Sequence, residues 1–355
     1  MKNKIAIASA FFAASSLSFA EVALTENISV GGFVDMSYSH TDDDSDGGNE
    51  SSNSYTLDQV EVSWYFDFSP VTAQIDIEYE GDNLLVDQGF VTYDLGNGSA
   101  ITAGRYDSML GFEAFEPTGM YQYSTAYSSN AETGLNNVVN GNDLSVSDII
   151  TPQTNEGVKY TRESGSQFFG ISLQDGGFFG DDRLGGDIEL PLNNLGGPNV
   201  DIISGYAVEA AYAKDLGNGF NLFVGGLMET AESAAGEVDS TVINGYVTYE
   251  TGAWLFAAEY INTEHDIQNL ADIEIDSFLL MANYSYSDQA SITGRISEVD
   301  IDDLGDATKL TIAHLYAFTD NLALCTELST VDYDLDGNGG DGDTLEAGIE
   351  LLFTF

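Results

Sequence analysis

Residues 344–355 read TLEAGIELLFTF. Leu345, Ala347, Ile349, Leu351, Phe353 and Phe355 are apolar at every second position. Thr344, Glu346, Gly348, Glu350 and Thr354 alternate with them, and only Leu352 breaks the pattern. A period of two sends successive side chains to opposite faces of a β-strand. A tilted strand of about 9–11 residues is long enough to cross a bilayer. The same alternation recurs upstream. Val34, Met36 and Tyr38 alternate with Asp35 and Ser37; Val60, Val62, Trp64, Phe66 and Phe68 alternate with Glu61, Ser63 and Asp67. Ile75, Ile77 and Tyr79 alternate with Asp76 and Glu78. Such polar faces are too charged for a packed sandwich core, and the apolar faces too continuous for open water. A wall closed around water, with hydrocarbon outside, satisfies both. The fold class predicted is all-β, a transmembrane antiparallel barrel of about sixteen strands, an even number as such barrels require.

The connections support the same architecture. Short ones fall at Ser69-Pro70, Gly96-Asn97-Gly98, Gly217-Asn218-Gly219, Thr251-Gly252, Ser287-Asp288-Gln289 and Asp320-Asn321. Gly and Asn supply the positive φ that tight hairpins use. Long ones are expected at 40–54, 107–155, 175–200, 231–239, 264–272, 299–308 and 333–343. Short periplasmic turns facing long extracellular loops is the layout of a membrane barrel. Segment 107–155 is rich in aromatics, among them Phe112, Phe115, Tyr121, Tyr123 and Tyr127, and poor in charge. A disordered loop would be poorer in aromatics. It is expected to pack, folding into the barrel and narrowing it.

Residues 1–20 carry Lys2 and Lys4, an apolar run from Ile5, and small residues at Ser18 and Ala20. This is the pattern of a secretory signal peptide, leaving 21–355 as the barrel. The sole cysteine, Cys325, excludes an internal disulfide. The 355 residues carry nine Lys and Arg against 59 Asp and Glu, a net charge of −50. That charge repels nucleic acid and anionic surfaces. Because charge is costly on a lipid-facing wall, the carboxylates should crowd the lumen and loops. Their mutual repulsion is easier to tolerate in salt, which points to a saline habitat.

Two stretches carry a family resemblance. Gly348, Leu351, Phe353 and Phe355 resemble the C-terminal assembly signal of bacterial outer-membrane barrels. Residues Gly104-Arg105-Tyr106-Asp107-Ser108-Met109-Leu110-Gly111-Phe112-Glu113, followed by Glu116-Pro117 and Tyr123-Ser124, resemble the OmpL-like porins of the putative porin-2 type. The resemblance covers about twenty residues plus the strand layout. It implies a Gram-negative outer-membrane channel for passive diffusion of small hydrophilic solutes. It also implies contact with outer-membrane lipid and lipopolysaccharide, insertion by the barrel assembly machinery through the last strand, and a possible homotrimer.

A pore constriction needs charged groups facing each other across water. Glu113 and Glu116 are the candidates on the long segment; Arg105, Lys159, Arg162 and Arg295 are the scarce cations on or near strands. Glu61, Asp76, Glu78, Glu209, Glu259 and Glu327 on inward faces would make such a pore prefer cations. Each of these residues could equally serve in a structural ion pair. Asp332, Asp334, Asp336 and Asp343 approach the ligand spacing of a calcium-binding loop, as do Asp42, Asp44 and Asp46. Without flanking helices, loose Ca²⁺ ligation competes with a plain solvated loop, and no other cofactor is expected. His40, His265 and His314 sit in no spacing that recommends catalysis, and His314 falls on the apolar register. Two rivals to a channel are a surface enzyme using His40 or His265, and a closed adhesion or structural barrel with Ca²⁺-binding loops.

Overall fold

The computed structural model describes residues 21–45, 48–80, 83–127, 146–178, 202–233, 236–268, 272–335 and 340–355. The strands are β1 (Val22–Ala23), β2 (Ile28–Ser45), β3 (Gly48–Phe68), β4 (Val71–Glu80), β5 (Asn83–Gly96), β6 (Ser99–Asp107), β7 (Thr154–Ser164), β8 (Gln167–Gln174) and β9 (Ile202–Gly217). They continue with β10 (Phe220–Ser233), β11 (Gly236–Thr251), β12 (Trp254–Ile267), β13 (Ile273–Ser287), β14 (Ala290–Ile301), β15 (Gly305–Thr319), β16 (Leu322–Leu335) and β17 (Gly340–Thr354). A short helix, α1 (Val146–Ile150), and a single 3₁₀ turn at Pro117–Gly119 interrupt the segment between β6 and β7.

Each strand from β2 to β17 pairs antiparallel with its sequence neighbours, and β17 pairs back onto β2 through Leu351↔Met36 and Ile349↔Tyr38. The ring is therefore a closed barrel of sixteen strands. Closure leaves no unpaired edge for hydrocarbon to meet. The terminal residue seals the seam: Phe355 and Gly32 exchange two backbone bonds, each 3.0 Å. Beyond that point β2 has lost its partner, and the two-residue β1, absent from the sequence reading, lies there through Val22↔Val30 and Ala23↔Ser29.

The outer face carries the apolar half of the alternation. Met228 is 69% exposed, Ile243 59% and Leu310 57%, which is tolerable only against lipid. At the turn end, rings link strand to strand: Phe220 with Tyr249 at 4.2 Å and Trp254 with Tyr284 at 4.5 Å. Nearby, the Tyr286 hydroxyl lies 2.6 Å from His314 Nε2. Such an aromatic girdle marks the membrane interface. The turns themselves use Asn97 at φ 57° and Asn218 at φ 56°.

The opposite end departs from the expected loops. Segments 40–54, 231–239, 299–308 and 333–343 are mostly strand, and 264–272 is strand as far as Ile267, because the ladders of β2–β3, β10–β11, β12–β13, β14–β15 and β16–β17 run on past the apolar belt. Their alternation inverts. On β13 the outward series changes from Leu280 to Asp276 and Glu274, while Ile275 and Leu279 turn inward and are fully buried. Above the hydrocarbon, water lies outside, so polar residues face out and apolar ones face in. The sequence pattern for hydrocarbon-spanning strands does not fit that zone. One result is a row of outward aspartates directly opposed across five strands, Asp341↔Asp334↔Asp306↔Asp300↔Asp276.

The inward apolar residues form one cluster. Val238, Val242, Ile261, Ile275 and Ile301 pack with Phe112, Ile149, Ile150 and Phe178, which belong to the two connecting segments rather than to the wall. Burying each such side chain contributes about 1.5–3 kcal/mol. Of predicted loop 175–200, only residues up to 178 are described; the rest lies outside the described residues, as does the predicted signal peptide at 1–20.

Candidate functional site

Between β6 and β7 the chain turns into the barrel, and residues 108–127 run along the inner wall. Their backbone amides need acceptors, and wall carboxylates provide them. Glu209 on β9 accepts from Met109 N and from the Ser108 hydroxyl at 3.1 Å. Asn244 Oδ1 on β11 accepts from Gly111 N at 3.1 Å, and Glu259 on β12 from Phe112 N at 2.7 Å and the Tyr127 hydroxyl at 3.0 Å. Glu327 on β16 accepts from Tyr123 N at 2.9 Å and Ser124 N at 3.1 Å. Where the acceptor is an ionised carboxylate rather than the Asn244 amide, such a bond is roughly twice as strong as a neutral one.

Arg295, 1% exposed, is the clasp at the centre. Its guanidinium pairs with Glu113 and donates to the carbonyls of Ser124 at 2.8 Å and Thr125 at 3.0 Å. Glu113 in turn accepts from Ala126 N at 2.7 Å and Gln122 Nε2 at 2.6 Å. Tyr123 rests on the last strand: a Cβ at Gly348 would stand 2.6 Å from its ring, so only glycine leaves room. The small residue in the terminal strand thus has a partner 225 positions earlier in the chain. Further along, α1 is fastened by its carbonyls. Ile150 O accepts from Thr263 Oγ1 at 2.6 Å and Ile149 O from His265 Nε2 at 2.9 Å. That tautomer leaves Nδ1 to accept from the Ser240 hydroxyl at 2.9 Å.

Across the barrel the segment meets a different wall. Glu61 on β3 and Asp76 and Glu78 on β4 are all buried and inward-facing, with Ser63↔Asp76 and Glu61↔Glu78 directly opposed. Glu116 approaches them from the segment, accepting one bond from Gln59 Nε2 at 2.9 Å. Burial first, then the fields of Glu61 and Asp87, hold the Glu116 carboxyl well above the usual carboxylate range.

The sequence-predicted candidates divide accordingly. Glu61, Asp76, Glu78 and Glu116 gather on this acidic wall. Glu113 and Arg295 form an ion pair within the folded segment. Lys159 points inward, its Nζ 4.1 Å above the centre of the Tyr106 ring. Arg162 and Arg105 do not face the lumen. Arg162 is exposed beside a turn, in register with the outward-facing Phe169. Arg105 shares the outward register of Ile101 and Ala103 and donates Nε to the Asp87 carbonyl at 2.8 Å. Glu209, Glu259 and Glu327 face inward, but they are engaged by segment amides.

Asp332, Asp334 and Asp343 lie on paired strands, with Asp332 opposite Asp343, and Asp336 is outside the described residues.

Two inward residues escaped the sequence reading. Asp87 follows a register shift between Ile75 and Ile77 on the partner strand, which breaks the period-two pattern. Lys309 pairs with Glu346 at 3.1 Å; it shares the inward register of Thr311, between the outward-facing Leu310 and Thr308, so the alternation does place it inside.

A Gram-negative porin family model matches residues 5–337. The chain belongs to that family. Its fold is shared with solved outer-membrane proteins. DcaP, an outer membrane channel of Acinetobacter baumannii, superposes with a TM-score of 0.64 at 12% identity, covering 92% of this chain and 97% of that one. The anion-selective porin of Comamonas acidovorans gives 0.62 at 12%, covering 92% and 99%. The trimer form of OmpT from Vibrio cholerae gives 0.60 at 14%, covering 92% and 99%. A search of curated proteins finds no match. This porin is an outer-membrane β-barrel channel protein, and its inner wall is the candidate site.

Proposed function

We propose that the porin passes small hydrophilic solutes by passive diffusion, prefers cations, and catalyses no reaction. The observation that supports the preference is an imbalance of charge inside the wall. Of the inward cations among the described residues, Arg295 and Lys309 are paired with Glu113 and Glu346, and Lys159 lies over the Tyr106 ring with Glu209 and Asp107 as its nearby carboxylates. Glu61, Asp76 and Glu116 stand on the opposite wall with neutral Ser, Gln and one another as neighbours. A ring of carboxylates lowers the barrier for cations and raises it for anions. The Comamonas porin is described as anion-selective; the shared fold leaves selectivity to the side chains. A surface-enzyme reading gains no support from His265, which is 2% exposed and bound to the carbonyl of Ile149.

Planar-bilayer recording of the refolded barrel tests both halves. Absence of discrete conductance would remove the channel reading. Reversal potentials in asymmetric KCl that report anion preference would remove the cation reading. We also propose a homotrimer in the membrane, as in the trimer form of OmpT, inserted through β17 and surrounded by lipopolysaccharide. Mass measurement of the detergent complex checks the assembly, a monomer under mild extraction counting against it.

A further inference from the structure

Three carboxylates from three separate segments converge where the infolded segment meets the β3–β5 wall. Glu61 on β3, Asp87 on β5 and Glu116 on the segment each present an oxygen, and these oxygens lie within 4.8 Å of one another. Glu61 is 5% exposed. A second observation points into the same place. Asp76, 1% exposed, stands opposite Ser63 on the inward face of β4, close enough for its charge to act on Glu61 and that of Asp87 to act on it, and its Oδ1 has no hydrogen-bond partner. The donors present are neutral: Ser63 Oγ to Glu61, Gln59 Nε2 to Glu116 and, on Asp87, Thr154 Oγ1 at 3.4 Å and the Gln88 side chain. Arg105 donates its Nε to the Asp87 backbone carbonyl, and its charge acts on the Asp87 carboxylate from that side.

Buried carboxylates at this spacing require compensation by a proton or by a cation. Carboxylate oxygens alone are the ligand set of hard divalent ions, which hold them at about 2.0–2.6 Å. Oxygens this close fit around one such ion.

We infer that Glu61, Asp87 and Glu116 form a binding site for a divalent cation of the Ca²⁺ or Mg²⁺ class, with Asp76 Oδ1 as a neighbouring acceptor for the ion or its water. The site joins the infolded segment to the barrel wall on the side where amide-to-carboxylate bonds do not hold it. Bound cation removes negative charge from the constriction and fixes Glu116 against the wall. The binding claim stands apart from the channel reading; only its effect on current rests on that reading.

Mn²⁺, which takes the same oxygen ligands, is the probe. Crystals of the detergent-solubilised barrel soaked in MnCl₂ should show an anomalous peak within about 2.0–2.6 Å of all three carboxylates. Glu116→Gln and Asp87→Asn crystals should lose that peak. In bilayers at constant ionic strength, millimolar Ca²⁺ should lower single-channel conductance by about twofold or more in the parent, and far less in Glu116→Gln. Mn²⁺ peaks confined to the exposed outer aspartates would overturn the proposal, and the parent crystal alone decides this even if a variant fails to fold. A peak at the site without any conductance would leave the cation site standing and remove the channel.

Discussion

The infolded segment touches two walls built from the same residue type and used in opposite ways. Along β9, β12 and β16, Glu209, Glu259 and Glu327 each accept bonds from segment backbone amides or hydroxyls. Beside them Arg295 clasps Glu113, and apolar side chains such as Ile275 and Ile301 close over α1 and Phe178. Along β3–β5, Glu116 meets Glu61 and Asp87 while accepting a bond from Gln59. One wall spends its carboxylates on fastening; the other leaves them facing each other. A glutamate on an inward strand position therefore has no fixed role. The segment opposite it decides whether it is an anchor or a source of field.

The sharpest way to break this contrast is to remove the clasp. Arg295→Met leaves Glu113 buried without its cation, and losing one member of a buried pair costs about 3–5 kcal/mol. Segment 108–127 should detach, seen as a lower thermal midpoint in detergent, new protease cleavage within it and a larger conductance. Retained protease resistance would show that the amide bonds alone suffice. Next, Glu327→Leu strands the amides of Tyr123 and Ser124, at about 1–3 kcal/mol for each group left unsatisfied. The same assays should report a smaller shift.

Gly348→Ala probes one contact. The added methyl meets the Tyr123 ring, and overpacking of this kind costs about 1–3 kcal/mol. Pairing it with Tyr123→Ala should restore most of the loss, and a double-mutant cycle without coupling would refute the contact. The smallest effect belongs to the acidic wall. With Glu116 raised above its ordinary value of 4.5 when the segment is docked, its contribution to docking is fully present below that pH. It is lost as pH rises through the elevated docked value. In chelator, protease resistance of the segment should therefore fall with rising pH, and Glu116→Gln should flatten the profile.

Much of the barrel was legible because hydrocarbon imposes a strict rule on each strand. Leu345, Ile349 and Phe353 are exposed outside and Glu346 and Glu350 buried inside, as their alternation requires. The rule stops at the membrane surface. Beyond it Asp276 and Ile275 exchange the faces that their polarity would take in lipid, so paired strands read as loops. The acidic wall was partly visible, since Glu61, Asp76 and Glu78 hold the polar register of regular strands. Asp87 was hidden by a register shift. The anchoring role of Glu209, Glu259 and Glu327 could not be read from their own strands, because it depends on residues about 100 to 200 positions away. Arg105 and Arg162 were drawn toward the lumen by scarcity alone, whereas their register positions point out.

The row Asp341, Asp334, Asp306, Asp300 and Asp276 sets like charges rung against rung around the upper barrel. Neighbouring strands lie about 4.8 Å apart. At 1 M salt the screening distance is about 3 Å, less than one rung, so each aspartate scarcely feels the next. At 0.01 M it is about 30 Å, and the whole row repels itself at once. The upper collar is thus at ease in concentrated electrolyte and under tension in fresh water, a dependence written into its backbone register and absent from the girdled half below.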